Sequence, residues 1–218
     1  NGEKTTMRYG DFVITPPMAW HDHGNETDEP MFWIDGLDIP VVSFLDASFA
    51  EGLGEDEQEI TKEDGQSYAE FGHALMPEGA ERSGVSPIFN YPYARSRDTL
   101  DAMARGRDLD PCHGWKLRYT NPLNGEDAMP TIGTAVQLLR EKTIPYKSTS
   151  ATVFVCTEGS GRSQIGSDVI EWSEKDIFVV PSWKSVVHEI DNEAVLFSFN
   201  DRPIQEKLGL FREARGND

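Results

Sequence analysis

Short apolar runs separated by turn residues dominate residues 129–203. Runs of about four to eight residues that are rich in Val, Ile and Phe and bounded by Gly, Asp or Ser are typical of antiparallel sandwiches and barrels. The pattern therefore predicts a mainly β fold in this half, followed by a C-terminal helix within 204–218, over 205–215. The predicted strands are 132–139, 152–157, 162–165, 169–172, 177–180 and 195–199.

Residues 1–45 carry a sparser version of the same pattern. Apolar runs at 12–14 and 31–34 lie between Gly, Pro and Asp and predict two further strands. A short apolar run needs a neighbouring strand to pair with, so we expect this segment to be part of a second β unit.

Residues 46–128 are more acidic and more polar than the segments on either side. They predict a bridging segment of loops and short helices. One helix is expected at 97–105, because Ser96 can cap its first turn and Gly106 can end it.

The chain also contains an internal repeat. Both copies have the order strand, Pro turn, His-bearing strand, loop, strand, although two Pro-containing hairpins can also align by chance. The second copy has about 45 strand-rich residues before the repeat and the first has ten, so the front of the first copy is expected to lie outside this chain. A shift of 165 residues places 11–16 over 176–181, His23 over His188, and 32–34 over 197–199 without a gap.

His21 and His23 form the densest group of potential metal ligands. On a strand they would point to the same face, because side chains alternate. Neutral imidazole binds Fe, Zn, Cu or Ni, and such a pair needs at least one more ligand from elsewhere. The second copy has Val186 where the first has His21, so a metal is expected in the first copy alone. Histidines of the core or surface are the alternative.

Asp35 follows this pair at a distance that allows a role in the same site. A carboxylate there could be a metal ligand, a base or a proton relay. An Asp before a Gly is also a common turn residue, and on the residues alone the turn is the favoured interpretation.

Composition restricts the possible partners. The net charge of −18 repels nucleic acid and anionic membranes, and no Lys/Arg cluster offsets it. No apolar run approaches the roughly 20 residues needed to span a bilayer, so we expect a cytoplasmic protein with no nucleic-acid or membrane partner. An anionic substrate would need local positive charge, from a metal or an Arg.

Several motifs resemble the gentisate 1,2-dioxygenase family, which includes salicylate and 1-hydroxy-2-naphthoate dioxygenases. The most specific are Thr-Pro-Pro-Met-Ala-Trp-His-Asp-His-Gly-Asn at 15–25 and Phe-Trp-Ile-Asp-Gly-Leu-Asp at 32–38. The resemblance covers nearly the whole chain. It continues through 129–132, 137–139, 158–163, 176–183 and 197–203.

This resemblance implies a bicupin whose first cupin, 1–45, is incomplete and whose second, 129–203, is metal-free. It implies Fe(II) held by three His in the first cupin, with His21 as the third ligand and the other two upstream of Asn1. By the same matching, His23 and Asp35 lie beside the metal. They can hydrogen-bond to the bound substrate or oxygen, or relay a proton to it. A chain with one ligand of three is expected to bind iron weakly and to be inactive alone.

The implied reaction is cleavage of an aromatic hydroxy acid by O2, with gentisate giving maleylpyruvate, in a homotetramer. A different class of function remains open from the sequence, because cupins support many functions. The chain could belong to a non-catalytic bicupin that binds a small molecule, or to a cupin isomerase that uses another metal.

Overall fold

The structure, a computed structural model, describes residues 2–216. The elements of the first half are short and widely spaced. They are β1 (Phe12–Val13), α1 (Ile39–Phe44), α2 (Gln66–Phe71), β2 (Asn90–Tyr91) and α3 (Tyr93–Gly106). The second half is a near-continuous series of strands. They are β3 (Trp115–Arg118), β4 (Gly133–Leu139), β5 (Tyr146–Ser148), β6 (Thr152–Glu158), β7 (Ser160–Ile165), β8 (Asp168–Ser173), β9 (Ile177–Val180), β10 (Val186–Ile190), β11 (Ala194–Asn200) and β12 (Glu213–Arg215), with α4 (Arg202–Lys207) before the last.

These strands form two five-stranded antiparallel sheets, in the orders β3-β4-β11-β6-β9 and β12-β5-β10-β7-β8. The sheets face each other as a jelly-roll barrel, because the alternate side chains of each strand form one apolar interior. The mainly β fold is thus confirmed. The interior is filled by Leu139, Phe154, Cys156, Ile165, Trp172, Phe178, Val180, Val186, Ala194 and Leu196.

A second core covers the outer face of the first sheet. Val136 and Leu138 point outward from β4, whereas Gln137 and Leu139 point into the barrel, so all seven residues of β4 are buried. Leu100 of α3 packs against this outer face, together with the small β1-β2 sheet. The bridging segment is therefore a structural layer on the barrel.

Arg97 fastens α3 to one end of the barrel. Its guanidinium pairs with Asp101 of the same helix and with Glu158 and Glu193, which lie at two barrel turns. The Tyr93 hydroxyl donates a 2.6 Å hydrogen bond to Glu158. Because three partly buried carboxylates contact one guanidinium, they fix its orientation more strongly than an isolated surface ion pair would.

Gly159 makes the close turn at this end possible. Its φ is +84°, and a Cβ there would lie 2.2 Å from the carbonyl oxygen of Glu193. Only glycine accepts both the left-handed backbone and this close approach without displacement. The turn between β6 and β7 can therefore lie directly under the chain that enters β11.

The six strands predicted within 129–203 are confirmed, with ends that move by at most two residues. The sheets also take in β3 and β12, which lie outside the predicted range 129–203. Both are four residues or shorter. Strands this short have too few residues to show a period of two.

The strand predicted at 31–34 is wrong, because these residues are in extended coil with no ladder partner among the described residues. A strand is stable only when a neighbour takes up its hydrogen bonds. Large apolar side chains around this segment are exposed, including Met18, Phe32 and Phe44 at 86%, 90% and 88%.

The predicted helix over 205–215 is also wrong in most of its length. The helix covers Arg202–Lys207, and Gly209 has a φ of +69° that ends it. The segment Glu213–Arg215 instead pairs with β5. These residues pair with β5 at the edge of a sheet, and the local sequence does not reveal this distant strand.

The helix predicted at 97–105 begins four residues earlier, at Tyr93. Pro92 precedes it, and Asp11 accepts the Tyr93 backbone N–H at 2.9 Å. The first turn is therefore capped by a side chain 82 residues away instead of by Ser96. Within residues 2–216, no helix combines the length and apolar character needed to cross a membrane.

Replacing Leu138 by Ala is expected to lower the free energy of unfolding by about 2–5 kcal/mol, because a cavity forms between the barrel and α3. Leu138 is fully buried. The matched control is Val169→Ala on a strand surface, where the side chain is 59% exposed and the loss should be below about 1 kcal/mol. Urea unfolding followed by tryptophan fluorescence measures the free energy of unfolding of both variants. Equal losses of stability would contradict the packing of β4 on both faces.

Candidate functional site

The two histidines singled out by the sequence lie side by side on an exposed loop. The ring centroids of His21 and His23 are 5.6 Å apart with the planes nearly perpendicular. The His23 ring stacks on Trp33, at 5.2 Å between centroids and 16° between planes. The aromatic contact holds one imidazole in place, and both remain accessible to a ligand.

Polar contacts give this loop a defined shape. The Asn25 amide donates to the carbonyl of Glu29 at 2.8 Å, and its oxygen accepts the backbone N–H of Thr27 at 3.0 Å. This is the turn that an Asn side chain makes by replacing backbone hydrogen bonds. The Asp22 carboxylate, between the two histidines, accepts the backbone N–H of Gln58 at 3.2 Å.

Asp35 is exposed and has no hydrogen bond to either histidine among the described residues. The next residue, Gly36, lies against the barrel, where a Cβ would meet the Phe199 ring at 3.2 Å. Asp38 accepts a 2.6 Å hydrogen bond from the Thr131 hydroxyl. The chain after Asp35 is therefore held against the first sheet, at β11 and at the segment before β4, while Asp35 itself is exposed.

The described residues do not complete a metal site by themselves. No group of three or more His, Cys, Asp or Glu side chains within residues 2–216 is close enough to share an ion. His21 and His23 are the right kind of ligand for a divalent transition metal, since neutral imidazole suits Fe, Zn, Cu and Ni. A third and a fourth ligand would have to come from outside this group.

The internal repeat gives these residues counterparts in the complete barrel. The same shift of 165 residues relates His21 to Val186, His23 to His188 and Asp35 to Asn200. All three counterparts line one cavity inside the barrel, of about 50 Å³. In the second copy, the three positions equivalent to the candidate site residues therefore face the interior of a closed barrel.

His188, the counterpart of His23, is buried in a fixed hydrogen-bond chain. The Trp172 indole donates to the Ser163 hydroxyl at 2.8 Å, and the Ser163 oxygen lies 2.7 Å from His188 Nδ1. The hydrogen-bond pattern assigns the Ser163 proton to Nδ1, which leaves the Nε2 proton of a neutral ring toward the cavity. Burial, with a contribution from Lys116, lowers the pKa of His188 to about 3.

The sequence analysis did not identify two residues of this cavity, His113 and Lys116. Both line the cavity. Lys116 lies opposite Gln137 in the β3-β4 ladder, so its side chain shares the interior face. Residues 115–118 could not reveal the position of Lys116, because a four-residue strand is too short to show alternation and the burial of that face depends on the other sheet.

Comparison with known proteins extends this picture. A family model described as a cupin domain matches residues 1–39. Gentisate 1,2 dioxygenase 1 of Aquipseudomonas alcaligenes is 56% identical over 218 residues, which cover 99% of this chain and 63% of that protein. The 5-aminosalicylate 1,2-dioxygenase of a Comamonas species is 36% identical, over 97% of this chain and 58% of that protein.

A solved structure matches at the level of the fold. The salicylate 1,2-dioxygenase of Pseudoaminobacter salicylatoxidans, solved as adducts with gentisate, superposes with a TM-score of 0.88 at 31% identity. The match covers 96% of this chain and 60% of that one.

The jelly-roll barrel and its neighbours define a protein of the cupin class. Within that class, the chain is similar to gentisate 1,2-dioxygenases over nearly its whole length. It spans less than two thirds of the length of the relatives it matches, 63% for the Aquipseudomonas protein.

The burial of His188 predicts a pH dependence of stability. Its folded pKa, about 3, lies below the ordinary value of 6.5. The unfolded state therefore binds an extra proton between these values, and stability falls as pH drops through this window, by about 1.4 kcal/mol per pH unit at its steepest. His188→Asn should reduce the slope measured by urea unfolding at pH 4–6. The exposed His73→Asn should not, and equal slopes in both variants would contradict a neutral buried His188.

Proposed function

We propose that this chain is part of a dioxygenase that opens the ring of an aromatic hydroxy acid and inserts both atoms of O2, with gentisate converted to maleylpyruvate. The 56% identity to a gentisate 1,2-dioxygenase over nearly the whole chain is the observation that carries the proposal. The reaction balances without another reductant, because both oxygen atoms remain in the product and the ring carbons are oxidised. We also expect a homotetramer, as the family resemblance implies.

We assign His21 as one of three imidazole ligands of Fe(II). Its counterpart Val186 faces the barrel interior, so a His at the same position of a closed first barrel would point at its centre. The other two ligands would come from residues beyond this chain. When bound, iron(II) with three protein ligands offers open positions at which the carboxylate and hydroxyl of the substrate and dioxygen can meet.

His23 is assigned to proton transfer and substrate orientation. The stacking on Trp33 fixes the ring plane, and its counterpart His188 is directed into the barrel. An imidazole so placed can accept the proton of a substrate hydroxyl. Trp33 would then be a positioning residue, since it contacts His23 and holds the ring in orientation.

Asp35 is assigned to the rim of the same site. Its counterpart Asn200 lies at the end of β11 and lines the cavity of the second barrel. A carboxylate at this position can accept a hydrogen bond from a ring hydroxyl or hold a proton during ring opening. It cannot bind the substrate carboxylate, because like charges repel, so that group needs the metal or a cation.

In the full-length protein, His21→Ala is expected to remove most of the bound iron, because two ligands hold a divalent metal much less tightly than three. Ring-opened product should disappear with it. Iron content and the absorbance rise of product from gentisate, salicylate and 1-hydroxy-2-naphthoate measure this on one preparation. The control His73→Ala removes a histidine outside the site. A folded His21→Ala protein that keeps its iron would argue for a non-catalytic or other cupin.

His23→Gln and Asp35→Asn should keep iron and lower kcat by about 10²–10⁴-fold, the usual range for a lost acid–base group. Stopped-flow or steady-state dioxygen uptake with gentisate measures the change, with iron content as the control for site integrity. Variants that lose iron in parallel with activity would show that these residues are ligands instead. Unchanged kcat in both variants would remove them from the reaction.

A further inference from the structure

The cavity of the second barrel is surrounded by cationic and hydrogen-bond-donating groups. No Asp or Glu is among the residues that line it, although the chain as a whole carries a charge of −18. Neighbouring carboxylates are already engaged: Asp110 with Arg215, Glu206 with Arg202, and Glu213 with the Tyr146 hydroxyl. The positive and donor groups of the lining are His113, Lys116, Lys147, Lys184, His188 and Arg202.

Lys116 is the most informative of these groups. It extends from β3 into the interior, and its ammonium has no hydrogen bond or ion pair among the described residues. Burial, and then Arg202, lower the pKa of Lys116 to about 8, while Asp110 and Glu213 act in the opposite direction. The side chain is thus still cationic at neutral pH, and an unpaired ammonium in such a place is costly unless an anion joins it.

Other donors converge on the same space. His188 presents Nε2–H, because its Nδ1 is taken by Ser163. The Asn200 oxygen accepts the backbone N–H of Arg202 at 3.0 Å, which leaves the Asn200 amide N–H groups for the cavity. An excess of donors and positive charge over acceptors suits an anion and disfavours a metal cation.

Gln137, beside Lys116 in the ladder, adds an independent sign of a polar interior. It is 1% exposed, and both of its side-chain polar atoms lack a hydrogen-bond partner, as does the Ser198 hydroxyl on the neighbouring strand. Buried polar groups in folded proteins are normally satisfied by protein, water or ligand. These atoms point into the barrel behind the cavity, where ordered water could link them to a bound ion.

We propose that the second barrel binds a small oxyanion in this cavity, held by Lys116 with His188 and Asn200 as further donors. A space of about 50 Å³ suits phosphate, sulfate or a carboxylate as small as formate or acetate, and it is too small for an aromatic hydroxy acid. Lys147, Lys184 and Arg202 also line the cavity and add positive charge that attracts anions. The two copies of the repeat then bind ligands of opposite charge, a metal cation in the first and an oxyanion in the second.

The first test is a titration of the 218-residue chain with sodium sulfate at constant ionic strength set by NaCl. Calorimetry should give saturable binding to one site, and at 100 times Kd the Tm should rise by roughly 5–10 °C. Phosphate, formate and acetate titrated in the same way distinguish an inorganic ion from a small carboxylate as the tighter ligand. Absence of saturable binding by all four, or the same stabilisation by chloride alone, would overturn the proposal.

The matched variants are Lys116→Met and Lys62→Met. Each removes one ammonium from the chain, but Lys62 is exposed and lies outside the barrel. Loss of a charge-assisted contact should weaken the Kd for sulfate about tenfold or more in Lys116→Met and leave it within twofold in Lys62→Met. Equal weakening in both would show general electrostatics instead of a site.

A pH series gives a third measurement that requires no variant. Sulfate keeps its charge between pH 6.5 and 9.5, whereas Lys116 loses its proton around pH 8. His113 and His188, which face it, have pKa values lowered to about 3 and stay neutral throughout. The Kd should therefore weaken by roughly 30-fold across this range, since about 3% of a group with this pKa is protonated at pH 9.5. A flat profile would exclude Lys116 as the ligand.

Discussion

The sheet β3-β4-β11-β6-β9 has to be covered on both faces, and much of the structure follows from this requirement. Its inner face closes the barrel, and its outer face carries Val136, Leu138 and Val195, which are almost completely buried. An antiparallel sheet commonly leaves one face to water, but this one is apolar on both. The segment before it must therefore supply α3 and the β1-β2 pair as a second layer, and it cannot behave as a free linker.

The two copies of the repeat differ in the side chains that they carry at equivalent positions. In the first, His21 and His23 are accessible, and a carboxylate, Asp35, follows them on the chain. In the second, His188 Nδ1 is hydrogen-bonded to Ser163, and Lys116 adds positive charge. At the equivalent positions, the first copy has His21 and Asp35 where the second has Val186 and Asn200, so the proposed metal ligand and carboxylate have no counterparts in the second barrel.

Much of the barrel could be predicted from the sequence, because its strands alternate apolar and polar residues or lie between clear turn residues. The family of the first unit could also be predicted, since the motif around His21 and His23 is specific. Other features depend on distant partners. The cap on Tyr93 comes from Asp11, the pairing of 213–215 depends on β5, and the burial of Lys116 depends on the facing sheet. The alternation of apolar and polar residues along the chain does not reveal these contacts with distant residues.

The cap that Asp11 provides has a consequence for the order of folding. The hairpin β7-β8 joins neighbouring residues by a tight turn, and such contacts form early because little loop entropy is lost. Asp11 reaches Tyr93 across 82 residues. During synthesis the N-terminal segment emerges first, yet its partners in α3 and the barrel surface appear much later. We therefore expect the barrel to fold as the nucleus and residues 2–14 to dock last.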